Sequence, residues 1–173
     1  MSSKIDRRWF VAALALAPLG GCVGEAAKPA PRVARFREVR VDASPFAAKG
    51  VSNYAARVAD RLRLAVTEAF AGRIAAGEAG APVLVIEVST VRLASYVGGG
   101  SSGRFDRLSG DADDTMTGAL VLTSAKGATI DRRSHYVTSD AAISGDWRLP
   151  DNEDRRLDAL CRLYAEWAVR EFE

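Results

Sequence analysis

The sequence predicts an α+β fold: a two-layer sandwich in which two helices cover one face of a four-stranded, mostly antiparallel sheet. Three observations support this prediction. Two segments carry apolar residues at helical spacing on one side only, and four others are rich in apolar and β-branched residues. Their order along the chain is strand, helix, strand, strand, strand, helix. Two one-sided helices bury their stripes most simply side by side on one sheet face.

The first strand is predicted near Arg32–Val41, where Val39 and Val41 alternate with charged neighbours. A loop from residue 42 to residue 50 leads to the first helix. This helix is predicted to end at the segment 77–82. The apolar stripe of this helix contains Tyr54, Val58, Leu62, Ala65, Ala69 and Ile74.

Residues 83–93 form the most apolar strand, and residues 115–123 and 128–137 form a hairpin around a short glycine-containing turn. The last helix begins after Pro150. We expect its stripe to pack on the sheet; the stripe comprises Leu157, Leu160, Cys161, Tyr164, Trp167, Ala168 and Phe172.

The N-terminus has the three parts of a secretory signal. A basic start precedes an apolar run of about a dozen residues, too short to cross roughly 30 Å of hydrocarbon. Small residues then lead to Leu19, Gly20, Gly21 and Cys22. We therefore predict three regions: a cleaved signal at 1–21, a flexible Gly/Ala/Pro-containing tether at 22–31 and one domain at 32–173.

Leu19-Gly20-Gly21-Cys22 resembles the lipobox of bacterial lipoproteins. This resemblance implies that Cys22 becomes the first mature residue and binds the membrane through a diacylglycerol thioether and an acyl chain such as palmitate. Two or three chains hold a protein permanently, whereas one chain does so marginally. The lipobox implies a membrane-anchored, periplasm-facing protein, and Val23 in place of Asp favours the outer membrane over the inner one.

Arg7-Arg8-Trp9-Phe10 resembles the twin-arginine export motif, with Asp6 where Ser or Thr is usual. An ordinary Sec signal that happens to contain two arginines remains the alternative. The element order resembles small Gram-negative envelope lipoproteins in architecture only. They include the lipoprotein that plugs the lipopolysaccharide-insertion barrel and lipoproteins of unknown function.

Charge and cysteine content exclude several classes of function. Without residues 1–21 the chain has 21 basic and 21 acidic residues, so nucleic-acid binding loses its electrostatic support. With Cys22 lipidated, Cys161 has no partner for a disulfide. We expect no cofactor, and a single histidine gives no metal-ligand set.

Two patterns suggest chemistry, but each is better explained without it. Gly99 to Gly103 fits the Gly-x-Ser-x-Gly pattern around Ser101, but no helix is predicted after it and His135 lies in a strand. The acidic group from residue 106 to Asp114 lacks the spacing of a helix-loop-helix calcium site, and we interpret it as a solvated loop.

Two loops are candidates for binding. The segment from Tyr96 to Asp114 contains Arg104 and is long for a strand connection. The segment 141–150 contains Trp147, which either anchors a partner or caps the core. The leading hypothesis is a non-enzymatic, membrane-anchored envelope lipoprotein that binds an envelope protein, lipid or glycan. The alternatives are an accessory subunit of an envelope lipid transporter and a serine hydrolase.

Overall fold

The computed structural model describes residues 31–94, 113–141 and 148–173. Its four strands are β1 (Glu38–Asp42), β2 (Val83–Arg92), β3 (Asp113–Thr123) and β4 (Thr129–Asp140). Its three helices are α1 (Ser44–Ala47), α2 (Ser52–Ala69) and α3 (Asn152–Arg170). The predicted α+β class and mostly antiparallel four-stranded sheet are confirmed.

The strands lie in the order β1-β2-β3-β4. β1 and β2 are parallel and are linked through α1 and α2, as parallel neighbours need a crossover connection. β2, β3 and β4 are antiparallel. The turn between β3 and β4 places Gly127 at φ 86°, a left-handed conformation that glycine adopts without strain.

The core lies between the sheet and the layer formed by α2 and α3. Leu84 and Ile86 of β2 and Leu120 of β3 are almost fully buried there, because alternate residues of a strand point to the same face. From α3, Leu157, Leu160 and Tyr164 pack into the same cluster. The two-layer arrangement agrees with the prediction.

The loop predicted for residues 42–50 contains the short helix α1. Asp42 Oδ1 accepts a hydrogen bond from the Ser44 backbone N–H at 2.8 Å, and Pro45 occupies the first turn. Phe46 is buried in the core. Four residues are too few to show a helical period in sequence, which is why this element was not predicted.

Two residues assigned to the buried stripes of helices are exposed in the structure. Ile74 is past the end of α2; it forms an isolated bridge with Phe36 and is 40% exposed. The predicted burial of Trp167 is wrong, because its side chain is 47% exposed. Trp167 lies at the flank of the α3 stripe, three residues before the helix ends, and the Arg170 guanidinium lies 5.7 Å from its ring.

Candidate functional site

Apart from His135, the histidine of the hydrolase alternative, the residues predicted from sequence to carry function lie outside the described residues. They are the lipidation and signal residues Arg7, Arg8, Leu19, Gly20, Gly21 and Cys22, Ser101 of the hydrolase pattern, and the candidate binding residues Tyr96, Arg104 and Trp147. The described residues that flank these segments do have defined positions. They show which end of the domain each segment leaves from.

The two candidate binding segments leave from the same end of the sheet. Segment 95–112 lies between Ala94, just after β2, and Asp113, the first residue of β3. Segment 142–147 follows Ala141, just after β4, and Asp113 pairs with Asp140 in the β3–β4 register. We call this end, where β2 and β4 finish and β3 begins, the loop end.

A buried ion pair holds the loop end together. Asp114 and Arg156 are 2% and 5% exposed. Arg156 Nε donates to Asp114 Oδ2 at 2.8 Å, and a second guanidinium nitrogen, Nη2, contacts Oδ1. Asp114 Oδ1 also accepts from the Ala94 N–H at 2.8 Å, while Arg156 Nη2 donates to the Ala94 carbonyl at 2.7 Å. The pair therefore fixes both flanks of segment 95–112.

Asp114 corrects one sequence interpretation. It was assigned to a solvated acidic loop, but it is a buried β3 residue whose charge is balanced by Arg156. Sequence gave no signal for this pairing, because the two residues are 42 positions apart. An ionised carboxylate is buried only when a partner compensates its lost hydration.

Further ion pairs join the N-terminal parts of the two long helices. Arg57 donates to Glu153 at 2.9 Å, and Arg61 lies 2.8 Å from Asp154 and also contacts Asp158. The hydrogen bond from Arg57 lowers the pKa of Asp154. These contacts show that α2 and α3 run in the same direction, both starting at the loop end.

Arg73 organises the opposite end of the domain. Its guanidinium donates to the carbonyl oxygens of Val169 and Phe172 at 3.0 Å and to the carbonyl of Val33. It thus joins the end of α3 to the N-terminal segment that leads to β1. Its charge also suits a helix C-terminus, where carbonyl groups give a partial negative charge. We call this the N-terminal end.

His135 lies in the core, away from both ends. It is 4% exposed, its Nε2 donates to the Tyr164 carbonyl at 3.0 Å, and the two rings are 4.4 Å apart. Burial lowers the pKa of His135. The surroundings are those of a packed core histidine, which weakens the hypothesis that it acts as a catalytic base.

Gly118 explains how Tyr164 fits beside His135. The Tyr164 hydroxyl donates to the Glu87 carbonyl at 3.0 Å across this position. A Cβ at residue 118 would lie 1.8 Å from that carbonyl oxygen and 2.6 Å from the hydroxyl. A glycine inside a strand is a sequence sign of such a close approach, and Gly118 was not predicted to have this role.

The remaining chemistry of the described residues is sparse. Cys161 is 1% exposed, and burial raises the pKa of its thiol to about 12. In the described part of the chain no group of three or more His, Cys, Asp or Glu side chains could hold a metal ion. Among the helices of that part, none is both long and apolar enough to cross a membrane.

No family model and no curated protein matches this sequence. A solved structure of an uncharacterized protein is 15% identical with a TM-score of 0.39, and the match covers 69% of this chain and 64% of the other. A second, described as "a putative lipoprotein from Caulobacter crescentus", is 21% identical with a TM-score of 0.37, covering 66% and 77%. The chain thus spans less than two thirds of the first structure's length. Both TM-scores are below 0.5, so neither match carries the functional argument.

Proposed function

We propose that this protein is a lipoprotein of the cell envelope, anchored by lipid on Cys22 and facing the periplasm, and that it binds a partner rather than catalysing a reaction. The observation that carries the proposal is Leu19-Gly20-Gly21-Cys22 directly after a basic start and a short apolar run. Val23 favours the outer membrane. The partner is an envelope protein, a lipid or a glycan.

The two cysteines differ in a way that supports Cys22 as the modified residue. Cys161 is enclosed by the core, and its raised pKa keeps it a neutral thiol at physiological pH. A modifying enzyme would have to unfold the domain to reach it. Cys22 is therefore the cysteine for which lipidation is compatible with a folded domain.

The positions of the two ends support the proposal that one end of the domain is anchored and the other binds the partner. The N-terminal segment enters the domain beside Arg73 and the end of α3. The flanks of segments 95–112 and 142–147 lie at the other end of the sheet. An anchor at one end leaves the loop end free to meet a partner, as binding segments on a rigid scaffold commonly do.

Metabolic labelling tests the anchor. Cells that express the full chain are fed a clickable palmitate analogue, and the label on the protein is measured. We expect the wild type and a Cys161→Ala variant to be labelled and Cys22→Ser to lose the label. Equal labelling of the wild type and Cys22→Ser would contradict the proposal.

The export route is tested separately. Replacing Arg7 and Arg8 by Lys keeps both charges but removes the guanidinium groups that the twin-arginine motif requires. We expect processing to stop if this route is used. A Sec signal needs only positive charge, so normal processing of the double-lysine variant would assign export to that route.

The binding role is tested at Trp147. Partner binding is measured in cells by crosslinking from the segment 96–114 and identifying what is captured. If Trp147 anchors the partner, Trp147→Ala abolishes this capture while the melting temperature of the protein stays unchanged. If Trp147 caps the core, the substitution lowers stability by about 3–5 kcal/mol. A loss of stability that accounts for the lost function would remove this residue as the binding anchor.

A further inference from the structure

β4 stands at one edge of the sheet and is its longest strand, with 12 residues. In the described part of the chain its only strand partner is β3. Tyr136, on the sheet face away from the helices, is 56% exposed. A long edge strand presents backbone N–H and C=O groups that can pair with another strand.

Beside this edge, α3 presents a flank that the sheet does not cover. A groove of about 520 Å³ runs between Ser139 of β4 and α3, with Ala159, Leu163, Arg162 and Glu166 among its lining residues. The half-exposed Trp167 lies one helical turn beyond Leu163 on the same side. The flank combines apolar side chains with two opposite charges.

The spacing between neighbouring strands and between neighbouring helices suits a second copy of this chain at that edge. Neighbouring strands are about 4.8 Å apart and packed helices about 8–10 Å apart, so each helix covers two strands. α3 packs against both β3 and β4 in this way. If β4 pairs with β4 of a second copy, the two α3 helices lie one helix spacing apart, with neither a gap nor an overlap.

One antiparallel register makes the two copies complementary. With the two-fold axis at Tyr136, Ser134 of each copy lies opposite Thr138 of the other. Arg132, which also pairs with Glu87 of its own copy, lies opposite Asp140. Polar and opposite-charge pairs at such positions stabilise strand pairing. Tyr136 and Tyr164 lie at similar levels, because Tyr164 contacts His135. The same axis therefore brings Arg162 beside Glu166 of the second copy.

We propose that β4 and the exposed flank of α3 form a two-fold dimer interface that joins two copies through a continuous eight-stranded sheet. Such an interface uses the same patch on both subunits. The proposal does not depend on the lipid anchor. Because the axis is perpendicular to the sheet, the two N-terminal segments enter at opposite ends of the dimer.

Disulfide crosslinking of the full chain in detergent tests the register. Tyr136→Cys places two thiols at the axis, so mild oxidation should give a dimer on a non-reducing gel. Ile130→Cys is the control: this exposed position lies on the same strand, six residues from the axis, so its two copies are about 40 Å apart. Crosslinking above the wild-type level by Tyr136→Cys alone supports the interface. No crosslink from Tyr136→Cys, or equal crosslinking from both variants, overturns it.

A charge exchange in α3 gives a second readout. Arg162→Glu and Glu166→Arg should each weaken dimerisation at least about tenfold by placing like charges together, and the double variant should restore it. Sedimentation of the full-length protein in detergent measures the dimer fraction. A wild type that stays monomeric, or a double variant as dissociated as the single ones, contradicts the proposal.

Discussion

Two arginines hold chain segments at opposite ends of this domain, and they do so in different ways. Arg156 at the loop end is 5% exposed and pairs with a carboxylate, Asp114, that is equally enclosed. Arg73 at the N-terminal end is partly exposed, and its guanidinium donates to the backbone carbonyls of Val33, Ala34, Val169 and Phe172. Both join segments that are far apart in sequence.

The difference follows from hydration. A fully buried guanidinium loses its water and needs a full negative charge nearby, whereas a partly hydrated one is satisfied by carbonyl dipoles at a helix end. The loop end is therefore the more sensitive to loss of a single partner. At the N-terminal end, the chain segments are held together by several weaker hydrogen bonds.

The largest effect is expected at Asp114. Asp114→Ala leaves the Arg156 charge buried without its carboxylate, which should lower the free energy of unfolding by about 3–5 kcal/mol. Urea unfolding measures it. The double variant Asp114→Ala, Arg156→Met removes both charges and should recover part of that loss. If the double variant is no more stable than the single one, the ion pair is not what Asp114 contributes.

A smaller loss is expected at Arg73. Arg73→Ala removes charged hydrogen bonds to four carbonyl groups that can partly turn to water, and should cost about 1–3 kcal/mol. Arg73→Lys keeps the charge but not the planar guanidinium group, so its free energy of unfolding should lie between those of the wild type and Arg73→Ala. The same unfolding assay applies. A loss at Arg73 as large as that at Asp114 would remove the contrast between the two ends.

His135 lies between the two ends and adds a pH dependence. Burial lowers its pKa below the usual 6.5, so the unfolded chain takes up a proton that the folded chain excludes. Stability should therefore fall as the pH drops below about 6.5 and be unaffected by this group above that value. Thermal unfolding between pH 5 and pH 8 measures the slope. In His135→Gln the slope should be shallower; an identical slope would assign the effect to other groups.

The smallest effect is expected on the open sheet face. Arg132 donates twice to Glu87, at 2.9 and 2.6 Å, but its side chain is 57% exposed. Solvent screens such pairs, so Arg132→Ala should leave the unfolding midpoint within experimental error. A clear destabilisation would show that exposure is a poor guide to the strength of these ion pairs.

The sequence predicted the elements whose signal is periodic and long. α2, β2 and α3 were predicted because their apolar residues repeat at helical or strand spacing. Helix α1 was missed because four residues show no period. The burial of Trp167 was predicted wrongly because a helical stripe gives the angular position of a residue but not where the sheet edge ends.

Pairings between distant residues could not be predicted in the same way. Arg73 contacts the C-terminal residues from 96 and 99 positions away, and neither its type nor its spacing indicates this. Gly118 did offer a signal for one such contact, because a glycine in a strand marks a close approach, here that of the Tyr164 hydroxyl to the Glu87 carbonyl. The candidate functional residues lie in segments without periodicity, so their roles remain predictions.

The central claim is that the mature protein begins at Cys22 and carries lipid there. The most direct test is the intact mass of the protein extracted from membranes, because one measurement reads both the first residue and its modification. We expect the mass of residues 22–173 plus a diacylglycerol group and an additional acyl chain. The unmodified mass of the full chain, or of a chain that begins at another residue, would contradict the account.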